Sequence, residues 1–204
     1  MIEIIISVIA LFIAIFLPLF IERLKRPELE IHPQEEKPKK DSDHWYYHME
    51  VFNKKRRFMG GFIQRDVAKL CEARIEFLNK ESRKPIIHQI TAKWAQQLNP
   101  VTPQVIGNRI IQVFDETKVP SCQVIDVGFE KRTFDVVIKF RGEKECYAFD
   151  PWIHFINWKD PRLKLDVNEC IIRIELRAAN LTQPKIAEFI LLNKGTELKD
   201  LKIA

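Results

Sequence analysis

The chain has 204 residues, 46% hydrophobic and 30% charged, with only 6 glycines, 11 prolines and a formal net charge of +5. This balance excludes a collagen-like or wholly disordered chain and leaves room for one packed domain with an appendage. The four cysteines, Cys71, Cys122, Cys146 and Cys170, form no CxxC pair and fall in apolar-patterned segments, where a thiol serves as a small core residue; their even number leaves two disulfides open.

Residues 4–21, IIISVIALFIAIFLPLFI, run 18 positions without a charge, close to the roughly 20 that a helix needs to span a hydrocarbon core. A secretory signal would start basic and end on small residues. Here Glu3 is the only charged side chain before the run, and Pro18, Leu19, Phe20 and Ile21 fill its end. A retained, single-pass transmembrane helix is predicted, with Pro18 tolerated near its exit. Arg23, Lys25 and Arg26 follow at once, so the rule of positive flanks inside places the remainder in the cytoplasm. Residues 22–43, rich in Glu and Lys and punctuated by Pro27, Pro33 and Pro38, read as a polar stalk.

From 44 to 193 the apolar positions recur mainly with period two, the mark of strands with one dry and one wet face. Tyr47, Met49 and Val51 alternate with Tyr46, His48, Glu50 and Phe52. Cys71, Ala73, Ile75 and Phe77 share one face, as do Phe134, Val136, Ile138 and Phe140, and again Cys170, Ile172, Ile174 and Leu176. Further strands are predicted over 87–95, 109–114, 121–128, 145–149 and 185–192, with room for a helical turn at 64–72 and a proline-led loop at 100–108. Short strands without a long amphipathic helix predict a mainly β domain, a β-sandwich over 44–193, followed by a short C-terminal tail at 194–204.

Three stretches, YYHMEVFN at 46–53, RDVAKLCEARIEF at 65–77 and NECIIRIELRAANLTQPKIAEFIL at 168–191, carry a resemblance. The arrangement resembles uncharacterised prokaryotic, mainly archaeal, membrane-anchored proteins in which an N-terminal transmembrane helix precedes an immunoglobulin-like β-sandwich. Ala68 and Cys71 fit the opening of a strand in those proteins, and Asn180 fits the turn between their last two. The resemblance implies a fold and a membrane address, and no activity.

Candidate chemistry is sparse. His44 and His48 have helical metal-ligand spacing, but on a strand they stand about 13 Å apart, at 3.3 Å per residue, too far for one ion. Neither a metal nor another cofactor is expected. Lys54, Lys55, Arg56 and Arg57, followed by Phe58, form a cationic turn suited to anionic lipid headgroups, where each nearby cation contributes about 1 kcal/mol. The lack of interleaved aromatics argues against nucleic acid. DPWIHFINWKDP at 150–161 is predicted to fold partly over the open end of the sandwich, with Trp152, Phe155 and Trp158 as candidates for contact with a partner or with the membrane rim. Asp150, His154 and Asp160 form an alternative polar set within it. The expected function is a membrane-anchored binding or scaffolding module with an unknown partner. The alternative is a membrane-tethered enzyme using the 150–161 loop in a small-molecule site, which requires those three groups to converge.

Overall fold

The computed structural model describes residues 2–34, 38, 41–55, 64–107, 109–154 and 159–204. It opens with helix α1 (Ile2–Lys25), which continues through Pro18. Over Ile4–Lys25 this helix is long and apolar enough to cross a membrane, and Ile6, Phe12, Phe16 and Phe20 are all exposed. Its uninterrupted apolar sequence leaves no wet stripe that would define an ordinary surface helix.

The strands then run β1 (Leu29–Pro33), β2 (His44–Asn53), β3 (Ala68–Asn79), β4 (Pro85–Thr91), β5 (Val101–Ile106) and β6 (Arg109–Phe114). A short helix, α2 (Val119–Gln123), leads into β7 (Val124–Val127) and β8 (Arg132–Phe140). The chain closes with β9 (Cys146–Ala148), β10 (Lys164–Leu165), β11 (Glu169–Arg177), β12 (Lys185–Asn193) and β13 (Leu201–Ile203). The domain is thus mainly β. One sheet has the order β1-β2-β8-β9-β10, and a second has β13-β12-β11-β3-β4 with β7 also on β3; β5 and β6 form a separate hairpin.

Alternation explains the core. Met49 and Val51 from the first sheet and Ile75, Phe77, Ile172 and Ile174 from the second are buried in one cluster. Every second residue of these strands therefore meets the opposite sheet, and each buried aliphatic or aromatic side chain contributes about 1.5–3 kcal/mol. Trp94 crosses between the sheets: it forms a bridge to Phe134 on β8, while its indole N–H donates to the carbonyls of Cys71 (3.1 Å) and Gln123 (3.0 Å). All four cysteines are buried and unpaired with one another.

Several stretches differ from their sequence patterns. Residues 29–33, inside the expected stalk, pair with β2 because Leu29 and Ile31 supply a dry face to the core. Residues 201–203, in the expected tail, pair with β12, and Leu201 is buried. Within the loop expected at 100–108, Val101–Ile106 form β5, with Pro103 opposite Gln112. The main-chain bond from Asp115 to Pro100 sets the alternation of this hairpin, so the Pro103 nitrogen faces the open side, where no N–H is needed. Residues 121–128 divide between α2 and β7, and 64–72 holds an irregular lead into β3 in which Leu70 has φ 51°.

On β8 the single face expected for Phe134, Val136, Ile138 and Phe140 is broken. Tyr47 pairs with Val137 and His48 with Asp135, so one extra residue, Val136, is accommodated as a bulge. A bulge inverts the side-chain phase. Phe134, Val136 and Val137 face the common core, whereas Ile138 and Phe140 join Tyr46, Tyr147 and Phe149 in a second cluster.

Helix α1 is tied closely to the domain. Leu24 is buried, and the Asp66 N–H donates to the Lys25 carbonyl at 2.6 Å. Buried Asn53 accepts from the Glu28 N–H at 2.9 Å and donates to the Asp66 carbonyl at 2.7 Å. Arg65 pairs with Glu28 at the same junction.

Candidate functional site

The bulge in β8 creates the most unusual chemical environment. It brings Asp135 opposite His48, and buried Lys93 joins them from the segment that links the sheets. His48 Nδ1 lies 2.7 Å from Asp135 Oδ1, off the line a good hydrogen bond requires, and Lys93 Nζ lies 3.9 Å from Asp135 Oδ2. The Asp135 N–H donates to the Lys93 carbonyl, and Lys93 Nζ donates to the Trp94 carbonyl at 3.3 Å. Tyr46 packs edge-on against Phe149 at 5.6 Å and lies over His48 at 6.3 Å; burial, reinforced by the Asp135 charge, pushes its phenol up to about 12. Sequence patterning missed this group. The signal was a charged residue among mainly apolar neighbours, Asp135 between Phe134 and Val136 and Lys93 between Ala92 and Trp94.

Asp150 begins the segment beyond β9. Burial raises its pKa, against the opposing effects of the Trp152 N–H, which donates to it at 2.8 Å, and of the Arg162 charge; the Asp160 charge raises it further. Asp160 is spoken for: it caps the short turn Pro161–Leu163 and accepts from the Arg162 main-chain N–H (2.9 Å), Nε and Nη2 (2.7 Å). The Arg162 guanidinium holds its carboxyl below the usual range. Asp150 feels the charges of both Asp160 and Arg162, but only Asp160 pairs with Arg162, while the side chain of His154 lies outside the described residues. The buried Cys122 thiol donates to the Val119 carbonyl at 3.1 Å. Most of these polar groups are engaged by their own scaffold, and among the described residues no group of three or more His, Cys, Asp or Glu can hold a metal ion.

Trp152 is 41% exposed and packs against Phe114 at 5.2 Å, joining the 150–154 segment to the foot of the β5–β6 hairpin. Between them opens a cleft of about 590 Å³ with Thr102, Gln104, Asp115 and Thr117 along its walls. The hairpin lies outside both sheets and carries apolar side chains in water: Val105 is 74%, Ile106 60% and Ile110 73% exposed. Gly107, at φ 61°, begins its turn, where a side chain would be strained.

Lys54 and Lys55 leave β2 beside the exit of α1; the Lys54 N–H donates to the Glu28 carbonyl and its ammonium pairs with Glu30 at 2.9 Å. Arg56, Arg57 and Phe58 lie outside the described residues, as do Phe155 and Trp158. Comparison with known proteins supplies no relative: no protein-family model, curated protein or solved structure matches the chain.

Proposed function

We propose that the chain is a single-pass membrane protein whose domain, an immunoglobulin-like β-sandwich on the cytoplasmic side, is a binding or scaffolding module. The observation that carries this reading is the β5–β6 hairpin with Trp152 at its foot. Val105, Ile106 and Ile110 contribute nothing to the core, and a contiguous apolar projection of this kind is the signature of an interaction surface. The cleft beside Trp152 offers such a partner an aromatic anchor point.

Strand order supports the sandwich reading. β1-β2-β8, flanked at Phe134 by residues 93–95, lies against β12-β11-β3-β4, and this follows the A-B-E-D and G-F-C-C′ order of immunoglobulin domains. β9 is the departure, adding to the far part of β8 after it in sequence. The membrane address rests on α1 and the orientation on Arg23, Lys25 and Arg26. Lys54 and Lys55 beside the helix exit favour contact with anionic headgroups. The rival reading, a membrane-tethered enzyme, has the raised pKa of Asp150 in its favour and the commitment of Asp160 to Arg162 against it.

Photo-crosslinking tests the module. A photoreactive residue at Ile106 or Ile110 in the full-length chain should yield a discrete adduct in intact membranes, and one at Arg83, in the turn after β3, should not. Equal patterns at all three positions, or none, would remove the hairpin from the proposal. Orientation is tested separately with Asp41→Cys in a chain whose native cysteines are alanine. A membrane-impermeant maleimide should label it only after lysis, and labelling of intact cells would place the domain outside.

A further inference from the structure

At the end of the domain remote from α1, the last residue of β1 and the edge strand β13 flank a groove of about 950 Å³. Its floor is apolar, formed by Pro33, Tyr47, Leu192, Leu201 and Ile203. Lys194, Lys199 and Lys202 stand exposed around it, and none takes part in an ion pair among the described residues. Among the described residues the one carboxylate lining it is Asp200, which accepts the Glu197 N–H at 3.0 Å. Gln34 also lines the groove, and its Oε1 is buried without a hydrogen-bond partner among the described residues.

The edge of β13 is open in a specific way. Ile190 and Ala204 exchange both main-chain bonds, and Lys194 donates to Asp200. Strict alternation then turns the N–H and C=O of Lys202 toward β12 and those of Leu201 and Ile203 toward the groove. The Leu201 N–H is used by the Leu198 carbonyl, which leaves the Leu201 carbonyl and both groups of Ile203 without a main-chain partner among the described residues. Across the groove Pro33 has no N–H to offer, so β13 is the edge suited to receive a strand.

We infer that this groove binds an extended acidic peptide segment of a partner protein by strand addition to β13. Main-chain groups of the peptide pair with Ile203 and Leu201. Its alternate side chains divide between the apolar floor and the three lysines. Charge selects this occupant. A second copy of the chain docking edge to edge would set lysines against lysines, a destabilising arrangement. A bilayer is excluded by position, since Leu192 pairs with Glu169 on β11 and the neighbouring Cys170 pairs with Asn79, the end of β3 away from Ala68 and the α1 junction. This surface is separate from the β5–β6 hairpin, and the inference stands independently of the role proposed there.

The test uses the full-length chain in detergent micelles and two short fluorescein-labelled peptides, one alternating valine with glutamate and the other valine with lysine. Fluorescence anisotropy should report binding of the glutamate peptide alone. The combined change Lys194→Glu, Lys199→Glu and Lys202→Glu, all at exposed positions, should weaken it about tenfold or more while leaving the melting temperature in place. Amide exchange at Ile203 should slow in the complex, which a diffuse charge attraction would not cause. Ile106→Asp should leave binding unchanged. No binding, equal binding of both peptides, binding that survives the triple change, or an unprotected Ile203 amide would each overturn the inference. So would displacement of the peptide by phosphatidylserine, which would assign the groove to lipid.

Discussion

Lys139→Met probes a buried charge that joins the turn after β8 to the end of β12. Lys139 lies on β8, is fully buried, and faces the core side because of the bulge. Its ammonium shares three protons among four acceptors: Asn193 Oδ1 at 2.7 Å and the carbonyls of Gly195 (2.9 Å), Glu143 (3.1 Å) and Lys144 (3.3 Å). Hydrogen bonds to a charged group are worth about 1.5–3 kcal/mol each, so the gross interaction is roughly 5–9 kcal/mol. Opposing it is the cost of removing an ammonium from water, several kcal/mol, and burial does lower the pKa of this group. Methionine removes that cost and strands four acceptors, one of them on buried Asn193. The acceptors dominate, because each buried acceptor left unsatisfied costs at least about 1 kcal/mol, four of them about 4, and the apolar replacement returns only about 1. A net loss of about 3 kcal/mol corresponds to a fall in Tm of about 10 °C for a domain of this size. Tryptophan fluorescence during heating in detergent measures it, with exposed Lys144→Met as the control. An unchanged or higher Tm would show that the four acceptors gain nothing from the ammonium and refute the reasoning.

Other consequences are equally open to measurement. Burial pushes the thiols of Cys71, Cys146 and Cys170 up to about 12 from an ordinary 9.0; each raised group contributes stability that is complete below pH 9.0 and lost as pH climbs through about 12. Lys139 has the opposite sign, its lowered pKa adding stability as pH rises toward 10.5, so the Tm profile of the native chain should be compared with one in which the three cysteines are alanine. The profile should flatten above pH 9 in that variant, and parallel profiles would contradict the assignment. Trp94→Phe leaves the Cys71 and Gln123 carbonyls without the indole donor and should cost about 2 kcal/mol, read as a lower urea midpoint at constant slope. Ile106→Asp with Ile110→Asp, both at exposed positions, should shift Tm by no more than about 2 °C; a larger drop would give the hairpin a structural duty.

The legible parts of the fold were the strands that keep strict alternation. Residues 170–177 and 72–79 pair in the register their dry and wet faces demand, and a period of two is visible without tertiary information. β8 shows where that signal fails. A bulge adds one residue, and nothing in TFDVVIKF marks its position because Val136, Val137 and Ile138 are all apolar. β1 was hidden for another reason: two apolar residues between prolines make a poor strand alone, and only the neighbouring edge of β2 gives them a face to cover. In the same way, the His48–Asp135–Lys93 group depends on a pairing register and on a chain crossing between sheets, and neither is a local property. Trp152 was legible as an exposed aromatic, but its neighbour Phe114 was not, since the two are joined only by tertiary contact.

The junction of α1 with the domain governs where any binding surface can reach. A disordered stalk of 22 residues would let the domain explore a radius of about 25 Å, at 5–6 Å times the square root of length. With Leu24 buried and Asp66, Asn53 and Glu28 closing around Lys25, that freedom is replaced by a fixed stance. In the single-pass arrangement proposed above, the protein behaves as a mast, holding its surfaces at set heights above the plane of the bilayer. For a partner also confined to that plane, matching height raises the effective concentration sharply, and a mismatch reduces it toward zero however strong the contact itself. Inserting a flexible stretch after Lys25 would trade this selectivity by height for reach.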